Sequence, residues 1–162
     1  MPLIVLEGPE GVGKTTQIEK LSLSLSRAGV RVVVLREPGA TPLGEVLRKA
    51  VLHSDMEIAP AAESLVFMAA RAQLVSYEIR PALESGTTVL LDRFFLSTYA
   101  YQVAGRGLKA DDVVAANYLA TSGLRPDLTL LLVLPTDVGL ARAKSRSGHD
   151  RIERADAAFH AR

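Results

Sequence analysis

The sequence contains no cysteine and no tryptophan. Without thiols, neither a disulfide framework nor a thiolate metal site is possible. Aromatic residues make up only 5% of the chain and charged residues 23%, yet 48% of the 162 residues are hydrophobic. That is an ordinary globular composition, which excludes disorder of the whole chain. Neither sign of charge dominates: 19 Lys+Arg against 18 Asp+Glu leave a formal charge of +1. The global basic field that would point to a nucleic-acid polymer is missing. Apolar runs such as Val89–Leu91 and Leu130–Leu134 fall far short of the ~20 residues that cross a bilayer. The N-terminus Met1-Pro2-Leu3-Ile4 lacks the basic start of a signal peptide. The expectation is one cytoplasmic domain over residues 1–162, with no membrane and no nucleic-acid partner.

Four short apolar segments are present: Leu3–Leu6, Val30–Leu35, Thr88–Leu91 and Leu128–Leu134. They are nearly continuous rather than alternating, as strands buried on both faces of a parallel sheet must be. Between them apolar residues recur at helical spacing. Ile18, Leu21 and Leu25 form one stripe, and Leu43, Val46, Leu47 and Ala50 another. Ala61–Glu84 reads as one long helix closed by Gly86, and Phe94–Ala104 as a further helix. Strand and helix in alternation predict a doubly wound, three-layer α/β/α fold around a parallel sheet, an architecture that P-loop NTPases share with other folds.

Gly8-Pro9-Glu10-Gly11-Val12-Gly13-Lys14-Thr15 fits G-x-x-x-x-G-K-[ST] in full. It follows a strand, Leu3–Glu7, and opens a helix, Lys14–Arg27, which is the context this motif requires. The glycines let successive backbone N–H groups turn inward onto phosphate oxygens, and the helix N-terminus adds partial positive charge. Lys14 would reach the β- and γ-phosphates of ATP, and the Thr15 hydroxyl would ligate Mg²⁺. Thr16 extends the same turn. In a parallel sheet ligands bind beyond the carboxyl ends of the strands. There this chain also presents Arg36-Glu37-Pro38-Gly39-Ala40-Thr41 and Asp92-Arg93-Phe94. Asp92 suits Mg²⁺ or its waters; it could equally cap the following helix. Arg93 and Arg48 suggest a second anion beside the first. Two such anions repel by about 1 kcal/mol per unit-charge pair at 4 Å in water, and by several-fold more when sheltered. Arginines on both would be needed to hold them together.

Glu7 to Gln17, Arg36 to Gly44, Asp92-Arg93-Phe94 and Ser97-Thr98-Tyr99-Ala100-Tyr101-Gln102 together resemble the thymidylate kinases. The resemblance implies transfer of the γ-phosphoryl of ATP to dTMP, with Mg²⁺, by a homodimer packed through helices. It implies that Phe67 stacks on thymine and that Arg71, four residues on and so on the same helix face, bonds its O4. Thr98 would face the base edge, and Tyr101 would line the deoxyribose, with Gln102 assisting. Tyr99 and Tyr101 cannot share a helix face, so one of them only packs. Glu10 would take the 3′-hydroxyl, Pro38 would lie under the nucleotide, and Arg48 and Arg93 would bind the dTMP phosphate. Glu37–Pro38 is expected to be a cis bond, and Arg36 to be structural.

Some members carry an arginine inside the phosphate loop, where this chain has Gly11. Members that lack it, as this chain does, supply arginines from a lid instead. Here the lid would span about 142–152, and Arg146 and Arg151 are the expected transition-state clamps. The further strand and helix of the family have no match in the sequence. Two alternatives stay open at this stage: another nucleoside monophosphate or deoxynucleoside kinase, and a non-catalytic P-loop module that only binds nucleotide.

Overall fold

The computed structural model describes residues 1–144, 150–152, 154–156 and 158–159. Among them, β1 (Leu3–Glu7), β2 (Val32–Arg36), β3 (Thr88–Asp92) and β4 (Leu128–Leu131) form one parallel sheet in the order β2-β3-β1-β4. The central strands are buried on both faces, as their continuous apolar runs require; Val5, Leu6, Leu90 and Leu91 are at most 1% exposed. The expectation of two-sided burial fails at the edges, where Val34 is 47% and Leu131 63% exposed. An edge strand has a neighbour on one side only, so its side chains find less to pack against.

Side chains along a strand alternate faces, so β1 serves two cores. Leu3 and Val5 join Val89, Leu91, Leu74, Val75 and Ile79 on one side. Leu6 and Leu90 pack on Ile18 on the other, flanked by Leu21 and Leu25 of α1 (Lys14–Arg27). Next comes α2 (Pro42–Leu52). It is started by the Thr41 hydroxyl, which accepts from Gly44 N–H at 2.9 Å, and by a proline in its first turn.

The long helix read at Ala61–Glu84 is present but not uniform. It runs as α3 (Pro60–Leu74), a π turn (Val75–Ile79) and α4 (Arg80–Glu84). Pro81 explains the change: it has no N–H, and its ring would strike the carbonyl four residues back. A wider turn, with Arg80 N–H on Val75 O, absorbs the misfit. Gly86, at φ 78°, ends the stretch. After β3, α5 (Phe95–Thr98) runs directly into a second π segment, Tyr99–Gly105. The elements α6 (Ala110–Thr121) and α7 (Thr136–Lys144) follow on either side of β4.

The register fixes where the site lies. Leu6 and Arg36 both stand level with Asp92, so the loops after β1, β2 and β3 leave the sheet at one height.

Candidate active site

The loop Gly8–Thr15 turns tightly through left-handed backbone at Gly11 (φ 70°) and Gly13 (φ 97°). Gly13 is the N-cap of α1, and no side chain caps that helix. The orphan N–H groups of its first turn are therefore available to an anion, and Gly13, Lys14, Thr15 and Thr16 line a cleft of about 920 Å³. Gly8 and Pro9 line a smaller cavity of about 210 Å³ behind the loop, and Val12 packs beside Gly8. Lys14 donates to Gly8 O and Pro9 O, both at 2.9 Å, so it braces the loop from within. Burial, and then the Arg93 charge, lower its pKa from 10.5 to about 8.

Gly11 has no room for a side chain: a Cβ there would run into the carbonyl of Gly139 in α7. Arg142, three residues further along α7, lines the cleft. Arg142 opens the expected lid span of about 142–152, whose expected clamps are Arg146 and Arg151. Arg146 lies outside the described residues. Arg151 is described, and the expectation of a phosphate clamp is not met in this arrangement. Its guanidinium is committed to the Glu63 carboxylate and to Val51 O, the latter at 3.0 Å, and it is not part of the cleft wall.

Arg93 has a left-handed backbone (φ 68°) and meets Lys14 at a shared acceptor, Gly8 O. It donates to Gly8 O at 3.1 Å, Ser97 Oγ at 3.0 Å and Glu10 Oε1 at 2.9 Å. It turns to Glu10 rather than to its neighbour Asp92. Burial would weaken its charge, but Tyr101, Glu10 and Asp92 more than offset this and raise its pKa. Glu10 Oε1 also accepts from the Tyr101 hydroxyl at 2.5 Å. Burial pushes the Glu10 carboxyl up, but Arg93 and Tyr101 bring it below the usual range. Arg48 donates to Pro38 O at 2.8 Å, and Glu37–Pro38 is a cis peptide as expected. Desolvation, together with Arg36 nearby, lowers the Arg48 pKa. Arg36 itself pairs with Glu45 on the surface.

The helix-cap reading of Asp92 is overturned. Glu7 does that work: its Oε1 accepts Phe94 N–H at 2.9 Å and Ser97 N–H at 3.3 Å, and its Oε2 takes the Ser97 hydroxyl at 2.6 Å. Asp92 Oδ1 is buried in the cleft wall without a hydrogen-bond partner among the described residues. The sequence reading missed Glu7 although its signal, a carboxylate closing an apolar strand, is the one that drew attention to Asp92.

The far end of the cleft is built by α3 and the segment after β3. Phe67 is half-buried on Val51, Leu52 and Ile152, with cleft on its other side. Arg71 lines the same wall but is only 2% exposed. Its Nε and Nη2 hold Glu37, while Nη1 donates to Thr98 Oγ1 at 3.1 Å and Asn117 Oδ1 at 2.7 Å. Neither a solvated arginine nor a free one, it keeps one Nη2 hydrogen of its five. Burial raises the Glu37 pKa against the pull of Arg71. Tyr101 and Gln102 line the cleft, while Tyr99 packs away from it against Met68 and Val113. The sequence missed Asn117, Glu37 as the partner of Arg71, and Glu63, which binds Gln102.

A phosphate loop faced by arginines, over one end of a parallel sheet and beside an aromatic-walled recess, is the arrangement of a P-loop nucleotide-binding protein with room for a second ligand. Comparison with known proteins gives its family. The family model described as Thymidylate kinase matches residues 6–162. Thymidylate kinase from Deinococcus radiodurans is 52% identical over 159 residues, covering 98% of this chain and 77% of that one. Thymidylate kinase from Pseudomonas fluorescens is 52% identical over 157 residues, covering 96% and 75%. The crystal structure of thymidylate kinase from Ehrlichia chaffeensis superposes with a TM-score of 0.78 at 34% identity, covering 89% of this chain and 77% of that one. The chain belongs to the thymidylate kinase family, and it spans about three quarters of the length of these relatives.

Proposed function

We propose that this chain phosphorylates dTMP to dTDP from the γ-phosphoryl of ATP, with the acceptor and donor phosphates meeting beside Arg93 and Lys14. One observation carries the reading: the phosphate loop, Arg48, Arg93, Phe67 and Arg71 all line one cleft. A base of thymine's size stacks on Phe67, and the remaining Nη2 hydrogen of Arg71 meets its O4. Tyr101 sits at the sugar, and Glu10 takes the 3′-hydroxyl. Arg48 and Arg93 hold the dTMP phosphate, whose anionic oxygen attacks the γ-phosphorus. That P–O bond forms as the bond from γ-phosphorus to the β-bridging oxygen breaks, and ADP leaves with the electron pair. No strong base is required, because the attacking oxygen is already deprotonated near neutral pH. Positioning and charge do the rest.

The donor set suits Mg²⁺. Among the described residues, no group of three His, Asp or Glu forms a protein-only metal cage. Asp92 offers an orphaned buried oxygen and Thr15 a hydroxyl on the cleft wall, and phosphate oxygens complete such a shell. An ion held by Asp92 and Thr15 would supply charge neutralisation to the donor phosphates. Arg142 and, from the lid, Arg146 are proposed to add positive charge in transfer.

The setting we propose is cytoplasmic; among the described residues no helix is long and apolar enough to cross a membrane. A homodimer through helices is supported by Leu65 on α3 and Tyr118 and Leu119 on α6, which are 62%, 68% and 81% exposed. Sedimentation velocity should give twice the chain mass.

The test is dTMP-dependent ADP release, with dUMP, CMP and GMP as competitors for the role of acceptor. Arg93→Ala should lose roughly 10³-fold in kcat while still binding ATP. Equal turnover in the variant would remove Arg93 from the acceptor site. No preference for dTMP would undo the Phe67–Arg71 assignment.

A further inference from the structure

Glu63 is fully buried, at 0% exposure, and lies in the first turn of α3, one turn before Phe67. A carboxylate there is costly unless every lone pair is met. Three side chains from two separate stretches meet them. Oε1 accepts from Gln102 Nε2 at 2.8 Å and Arg106 Nε at 3.2 Å. Oε2 accepts from Arg106 Nη2 at 3.2 Å and from Arg151 Nη2. These hydrogen bonds and the nearby guanidinium charges outweigh burial and hold its pKa below the usual carboxylate range.

Each partner leads to the cleft. Gln102 lines it directly. Arg151 is also pinned through its backbone N–H to Leu52 O at 2.9 Å, so its neighbours Asp150 and Ile152 are set into the cleft wall on either side of it. Arg106 lies over the Phe159 ring at 4.6 Å, and that ring stacks on Tyr101 at 5.9 Å with planes 8° apart. Tyr101 in turn holds Glu10.

We propose that Glu63 is a positioning residue for the acceptor nucleotide. It locks Gln102, Tyr101 and the 150–152 segment into one wall, and Arg151 acts through it rather than on phosphate. This rests on reading the cleft's far end as the dTMP pocket. ATP contacts neither Glu63 nor its partners in this scheme, so the effect falls on one substrate only.

Steady-state kinetics with each substrate varied separate the outcomes. Glu63→Gln should raise KM for dTMP about tenfold, leaving KM for ATP within about twofold. Arg151→Gln should raise KM for dTMP several-fold. The double variant should be no worse than the poorer single one, because both break one link. A purely structural Glu63 would lower the melting temperature and the active fraction but leave KM for dTMP alone, and that result overturns the proposal. So does a double variant whose effect is the product of the singles. If Glu63→Gln does not fold, Arg151→Gln decides: an unchanged KM for dTMP refutes the proposal. Phe67→Ala is the control. If it too leaves KM for dTMP unmoved, the pocket reading fails and takes the proposal with it; if it raises KM while Glu63→Gln does not, only the proposal fails.

Discussion

The two ends of the cleft recognise their ligands by different means. At the phosphate loop the chain offers its own backbone: glycines at positive φ, an uncapped helix start, and a lysine folded onto two carbonyls of its own loop. At the other end almost nothing is backbone. Glu37, Arg71, Thr98 and Asn117, from four separate stretches, hold one another in a buried cluster. Phosphate is the same in every nucleotide, so a local turn suffices. A base must be told from its relatives by a few directed hydrogen bonds, and these need side chains that cannot swing.

That contrast is broken most forcefully at Arg71. Arg71→Met keeps the length of the stem but leaves the Glu37 carboxylate buried without its guanidinium. The expected loss of stability is about 3–5 kcal/mol, read by urea unfolding, together with a large rise in KM for dTMP. ATP binding by the fraction still folded should be nearly unchanged. If stability held while dTMP binding failed, the cluster would be a ligand site only and not also a structural joint.

The same difference decided what the sequence could reveal. A turn that binds by backbone is contiguous, so Gly8–Thr15 announces itself with its strand and helix. The four strands were legible as nearly unbroken apolar runs, although only β1 and β3 are buried on both faces. The edge exposure of β2 and β4 was not, since strand order is a long-range property. The clusters around Arg71 and Glu63 join residues up to 46 and 88 positions apart, and no local spacing encodes such pairings. Phe67 and Arg71 were found by resemblance, whereas Asn117, Glu37 and Glu63 had no local signal. Arg151 shows the converse: a cationic run does not reveal that one of its members meets a buried carboxylate, Glu63.

A milder test sharpens the comparison through pH. With its pKa near 8 in the unliganded protein, Lys14 loses its ammonium charge through the mildly alkaline range, whereas Arg93 stays charged throughout. Phosphate oxygens favour the charged lysine, so ATP binding above pH 8 must take up a proton. Affinity should fall by about tenfold between pH 7 and pH 9, with proton uptake visible as a buffer-dependent heat in calorimetry. Stability of the unliganded protein should move the other way. Between about pH 8 and 10.5 the unfolded chain binds more protons at this lysine than the native one, so stability rises across that window. Lys14→Arg should abolish both inflections. The dTMP end, where Arg48 and Arg93 supply the charge, should show no matching loss of affinity, because neither guanidinium gives up its proton in this range. Affinities for ATP and dTMP that fell together above pH 8 would mean that the two ends are electrically coupled, and that the division between a backbone site and a side-chain site does not extend to charge.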